Sequence, residues 1–309
     1  MSNAASGSEG PRSARLEILI PFAVITLIWG STWIVIRDQL GIVPPSWSVA
    51  YRFLIAGGVM LTYALIRREQ ILFDARGWAF AAALALLQFC LNFNLVYRAE
   101  AHIASGLVAV VFALLLVPNA LLGRLLLGQQ LGRQLLAGSV VAMAGVTLLF
   151  VHEARIDPHG PGEALIGVAL TLCAVMAAST ANVLQATQTA RAYPMAAMLG
   201  VSMLIGATLD AVLAWSLTGP PVMEWRWGYV LGILYLGVIA SALAFTLYFS
   251  ILRVIGPAKA AYSSVIIPVI AMLLSTLFEG YRWSWLAAGG AALAMAGLVI
   301  ALTARRPNR

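Results

Sequence analysis

Ten transmembrane helices, in two oppositely threaded sets of five, make up the all-α integral membrane fold that the sequence predicts. Three observations predict it. First, the 309 residues are 61% hydrophobic and only 10% charged, with a mean hydropathy of +0.91. Soluble domains carry about 25% charged residues and about 45–50% apolar ones, so this chain has too little polar side chain to cover a water-soluble surface. Second, ten spans of about 20 residues use about 200 residues, and the remainder is too short for a separate ATPase or soluble catalytic domain. Third, the two halves of the chain repeat each other.

Residues 1–15 are small, polar and weakly basic and read as a disordered cytoplasmic tail; no apolar core with a cleavage site precedes the first span. Apolar runs broken by charges, Gly/Pro and Trp/Tyr then fall at about 16–36, 46–66, 77–97, 101–123, 132–151, 163–187, 195–217, 227–251, 258–278 and 284–303. The first repeat is 16–151 and the second 163–303. Between them lies 152–162 (HEARIDPHGPG), the longest and most polar connection, expected on the extracytoplasmic side; 304–309 is a second cytoplasmic tail. Basic residues in short loops stay inside. With the N-terminus inside, thirteen of the nineteen Lys and Arg fall on the cytoplasmic side and five outside, with Arg52 left within a span. Trp47, Trp225, Trp227, Trp283 and Trp285 then gather at the outer interface, where amphipathic rings prefer to sit. A bacterial inner membrane, with both termini cytoplasmic, is the expected location. The +7 balance is spread between apolar runs, which does not suggest nucleic acid, and Cys90 and Cys173 read as free, packed thiols.

The segment VPNALLGRLLLGQQ…GSVVAMAG closes the first half, and IPVIAMLLSTLFEG…GAALAMAG closes the second. Pro118 precedes Gln129 by the same 11 residues that separate Pro268 from Glu279, and Ala142–Gly145 matches Ala294–Gly297 letter for letter. Each half holds five spans, an odd number, so the second enters the membrane in the opposite sense. Inverted repeats of this kind build secondary transporters with a midplane site between the halves. Gly138, Ala142 and Gly145 share one helix face, as do Gly290, Ala294 and Gly297, which suits either close packing within the chain or a homodimer seam. Monomer and homodimer stay open. Pro118 and Pro268 are candidate hinges.

Polar side chains in hydrocarbon face protein or a water-filled cavity. Gln88 and Asn92 lie one turn apart in the third span, and Ser179, Asn182, Gln185 and Thr189 make a stripe along the sixth. Lys259, Tyr262 and Ser263 mark the start of the ninth, Tyr235 and Tyr248 the eighth, and Trp29, Ser31, Thr32 and Trp33 the first. The candidate solute-contacting set is Trp29, Gln88, Asn92, Asn182, Gln185, Tyr248, Lys259, Tyr262 and Ser263. Amides, hydroxyls and rings together suit a small zwitterion or polar-aromatic solute. Arg52 either snorkels to the interface or meets a carboxylate. Lys259, the chain's lone lysine, serves either topology or a substrate carboxylate, and Asp210, deep in the seventh span, either makes a structural hydrogen bond or carries a coupling proton. No HExxH, GxSxG or P-loop pattern occurs. His102, His152 and His159 are dispersed, so no enzyme, cofactor or metal is expected.

Trp29-Gly30-Ser31, Arg52-Phe53 and the Pro268…Glu279 pattern resemble the EamA-type drug/metabolite transporters over about residues 16–303, although Gln129 stands where that family usually carries a Glu. The resemblance implies a ten-helix basket around a central cavity, walled by the first, third, fourth, sixth, eighth and ninth helices. It also implies a secondary transporter working by alternating access. Export of amino acids or similar small metabolites is the expected activity, with a coupling proton as the candidate driving ion. An exporter of drugs or lipophilic cations, needing Asp210 as a cavity acid, is the alternative; a non-transporting assembly subunit is the remaining one.

Overall fold

A computed structural model describes residues 11–128, 132–156, 161–255, 260 and 263–302. It contains α1 (Pro11–Asp38), α2 (Pro45–Ile66), α3 (Ala75–His102), α4 (Ser105–Leu127) and α5 (Arg133–Ile156). The second half follows as α6 (Pro161–Gln185), α7 (Met195–Thr218), α8 (Trp227–Ile255), α9 (Ser263–Phe278) and α10 (Trp285–Leu302). Among the described residues eight helices are long and apolar enough to cross a membrane, and Ile266–Phe278 and Trp285–Ala301 are shorter apolar helices. Several helix ends are set by local chemistry. Pro45 opens α2 where its missing N–H costs nothing. The Asp74 side chain caps α3 by accepting from the Gly77 amide at 2.8 Å, and Gly128, at φ +66°, ends α4 in the left-handed conformation.

The two halves are threaded oppositely, and packing at glycines shows it. A Cβ on Gly138 would stand 2.3 Å from the Ala301 amide nitrogen, one on Gly145 2.2 Å from that of Ala294, and one on Gly297 2.2 Å from that of Ala142. Residue numbers rise along α5 as they fall along α10, so the two backbones touch in antiparallel array. The small-residue faces therefore pack within the chain, and the homodimer seam is not needed to explain them. Gly57 against Leu204 and Gly200 against Leu61 give the same antiparallel sense for α2 and α7. The remaining pairs respect the same exchange of halves: α3 lies on α6 as α8 lies on α1, and α1 on α9 as α6 on α4.

Three departures from regular helix, of two kinds, are not visible in the apolar pattern. α3 widens to a π-helix over Ala85–Leu91, and its counterpart α8 does so over Tyr235–Leu243. α4 tightens to a 3₁₀ turn at Ala113–Leu115, one turn before Pro118, which has no amide hydrogen to donate. Pro118 and Pro268 both lie inside helices that continue past them.

Candidate functional site

Between the halves lies a cavity of about 100 Å³, several times what one water needs. α1 contributes Trp29, Thr32, Trp33 and Ile36; α3 contributes Gln88, Phe93 and Val96; α4 contributes Ala109, Phe112, Ala113 and Leu115. From the second half come Ala178 and Asn182 of α6, Phe245 and Tyr248 of α8, and Ile267 and Pro268 of α9. One further residue enters from α2. Arg52 lines the cavity while only 1% exposed.

The walls are chiefly apolar, with six aromatic rings among them. Trp29 meets Phe245 edge-on at 5.3 Å between ring centroids and Tyr248 at 4.9 Å, and Trp33 meets Phe112 at 5.6 Å. The Trp29 indole donates to the Ala240 carbonyl at 3.1 Å. That carbonyl belongs to the π-helical stretch of α8, where the altered ladder offers backbone acceptors to side chains. Ser241 in the same stretch accepts from Arg52 Nε at 2.9 Å, and the guanidinium sits 4.2 Å from the centre of the Phe93 ring. These contacts hold a buried cation that hydrocarbon would otherwise reject. Its Nη1 has no partner among the described residues, and the same holds for Trp33 Nε1 and Gln88 Oε1. Two buried donors, one of them cationic, and one buried acceptor thus stand without partners among the described residues of the cavity wall.

The EamA-like transporter family matches the chain twice, over residues 17–151 and 165–303. The chain belongs to this family. It is 26% identical over 278 residues to protein PagO of Salmonella typhimurium, covering 87% of this chain and 88% of that one. The inner membrane transporter YedA of Escherichia coli K12 is 27% identical over 270 residues, covering 85% and 84%, and the transporter YoaV of Bacillus subtilis 21% over 263 residues, covering 85% and 88%. A solved crystal structure 23% identical in sequence shares the fold at a TM-score of 0.68, over 96% of this chain and 100% of that one. The protein is a multi-pass membrane protein of this transporter family.

Of the residues anticipated to contact solute, Trp29, Gln88, Asn182 and Tyr248 meet at the cavity, and Pro268 joins them. Asn92 does not line it. Both residues lie at the π-helical stretch, where bonding i to i+5 alters the angular step that regular helix would give them. Asn92 Nδ2 instead donates to the Gln88 carbonyl at 3.4 Å. Gln185, at the end of α6, accepts from Arg253 at 3.1 Å away from the cavity, and Thr189 lies beyond the helix in the short turn Gln188–Arg191. Asp210 is fully buried but faces α3, where Asn94 Nδ2 donates to its Oδ1 at 2.7 Å; Ser46 of α2 in turn donates to Asn94 at 2.5 Å. Lys259, Tyr262, Gln129 and His159 lie outside the described residues, as does the side chain of Ser263. Cys90 and Cys173 are both free thiols, but Cys173 is exposed on the outside of α6 rather than packed. The residues missed by sequence reasoning are Arg52 as a wall of the cavity, Phe93 beneath it and Phe112 opposite Trp33. The one available signal was the presence of an arginine two turns inside a span.

Proposed function

We propose that the chain is a secondary transporter that exports amino acids, or similar small metabolites bearing a carboxylate, by alternating access. The observation that carries this reading is Arg52, whose Nη1, unpaired among the described residues, belongs to a buried guanidinium in the cavity wall. A carboxylate satisfies that donor and compensates its charge, while the Gln88 carbonyl oxygen can accept from an ammonium and the rings of Trp29, Phe245 and Tyr248 can cover an apolar side chain. The two halves would rock about this site, opening it to one face at a time. A lipophilic cation fits less well, because the cavity's own charge is positive and Asp210 does not line it.

Counterflow of radiolabelled amino acids in proteoliposomes, with and without a pH gradient, tests the reading. The intact protein is expected to accelerate flux of at least one amino acid over empty liposomes. Arg52→Met should weaken its apparent affinity roughly 10- to 100-fold, as loss of a hydrogen bond to a charged group does. The corresponding decarboxylated amine should compete poorly against the intact protein. Absence of flux across a broad panel, or equal competition by acid and amine, would sink the proposal.

A further inference from the structure

Where α3 meets the start of α4, the Glu100 side chain has 0% exposure, and neither carboxylate oxygen has a hydrogen-bond partner among the described residues. The residue does not line the central cavity. No hydrogen bond from its neighbours reaches the carboxylate among the described residues. From α1, Arg37 donates through Nη1 to the Glu100 backbone carbonyl, not to its carboxylate, and Gln39 accepts from Tyr97 at 2.9 Å. From α2, Arg52 gives its Nε to Ser241, and Ser46 accepts from Arg98 at 3.2 Å. From α6, Glu163 pairs with His102 at 2.5 Å. Beyond the end of α9, Glu279 accepts from the amide, at 3.1 Å, and from the hydroxyl of Ser105, the first residue of α4. The charges that bear on Glu100 are those of Glu279, Arg37 and Arg52. No basic nitrogen of the described residues forms an ion pair with it.

An ionised carboxyl buried without hydrogen bonds or a paired cation is the arrangement a membrane protein tolerates least. Asp210 differs: it has Asn94 as a donor and lies where α7 packs on α2 and α3. Glu100 instead sits at the junction of α1, α3, α4 and the end of α9, which belong to different walls of the cavity.

We propose that Glu100 is a proton-binding site of this transporter, protonated while this end of the bundle is closed and ionised when the helices part. On opening, water reaches the carboxyl, its O–H bond breaks, and the proton passes to that water on the same side of the membrane. On closing, the carboxylate takes a proton back. Closure of this end is thereby coupled to uptake of one proton. The inference rests on the alternating-access reading above, but its test needs no solute.

Ile36 lines the cavity, is 2% exposed and lies one residue from Arg37, so a thiol placed there reports opening of this end. Ile36→Cys is introduced in a Cys90→Ala, Cys173→Ala background. Its labelling by a membrane-impermeant maleimide, added on the side of the Ile42 loop, is divided by that of Ile42→Cys, which is 67% exposed. This ratio removes the reagent's own pH dependence. In proteoliposomes without substrate it should rise several-fold from acid to alkaline pH. With Glu100→Gln, which mimics the protonated acid, it should stay low and flat. Glu100→Asp should keep the rise with a displaced midpoint, and Asp210→Asn should keep the original curve. A flat ratio in the parent, an unchanged rise in Glu100→Gln, or a rise abolished by Asp210→Asn instead would each overturn the proposal. Missing amino-acid counterflow with this titration intact would count against the substrate reading alone.

Discussion

Asp74 joins the two halves of the chain at a point outside the spans. It caps α3 and accepts from the Tyr193 hydroxyl at 2.5 Å. The Tyr193 hydrogen bond, with the Gly77 amide after it, holds the carboxyl below its ordinary value of 3.8. A carboxyl whose folded value is depressed contributes stability above its unfolded value and loses that contribution as pH falls through the folded one. The thermal midpoint of Asp74→Ala in detergent should therefore lie below that of the parent at neutral pH, and the gap should narrow below about pH 4. A gap unchanged between neutral pH and the acid limit would contradict this assignment. Inside the membrane, the same residue-level reasoning separates Arg52 from Asp210. Both were legible as charges within spans, but which helix each faces depends on neighbours that the sequence does not name.

At the scale of elements, the antiparallel seam of α5 and α10 is the tightest feature of the fold. Gly145 has the Ala294 backbone where its own Cβ would be, so even Gly145→Ala forces the two helices apart. Overpacking of this kind typically costs about 1–3 kcal/mol, and the expected outcome is a clear fall in thermal midpoint in detergent. Gly58→Ala is the matched control, because nothing lies within 4 Å of its Cβ position, and it should leave the midpoint unchanged or slightly raised. Equal behaviour of the two variants would argue against the seam. The repeated small residues announced this contact in the sequence, since steps of three and four residues put them on one face. The π turns of α3 and α8 gave no such notice. Their side chains, ALLQFCL and YLGVIASAL, read as ordinary apolar helix. Gln88 of the one stretch lines the cavity, and the Ala240 carbonyl of the other accepts from Trp29.

For the molecule as a whole, opposite threading of the halves makes each helix equivalent to one five places away. The basic residues then decide which way the assembly faces. Thiol labelling of single-cysteine variants in intact cells should find Ile42 and Trp225, on loops that close the same end, accessible from outside, with Arg68 and Arg191 protected until the membrane is opened. The reverse pattern would invert the orientation while leaving the fold untouched. The cavity draws on both halves, and so no single repeat contains it.

By itself the sequence determined the membrane class, the ten apolar stretches and the duplication, because hydropathy, charge exclusion and chain order act locally and along the chain. It also placed Trp29, Gln88, Asn182 and Tyr248 among the polar and aromatic groups that hydrocarbon disfavours. Only the tertiary structure decided that Arg52 turns inward onto Phe93, that Asp210 turns away to Asn94, and that Glu100 is enclosed with no partner among the described residues. The reason is that a side chain's direction in a span is set by helix rotation and local pitch against distant neighbours. A one-residue change in hydrogen-bond ladder, such as a π turn, alters that direction without leaving a mark on composition.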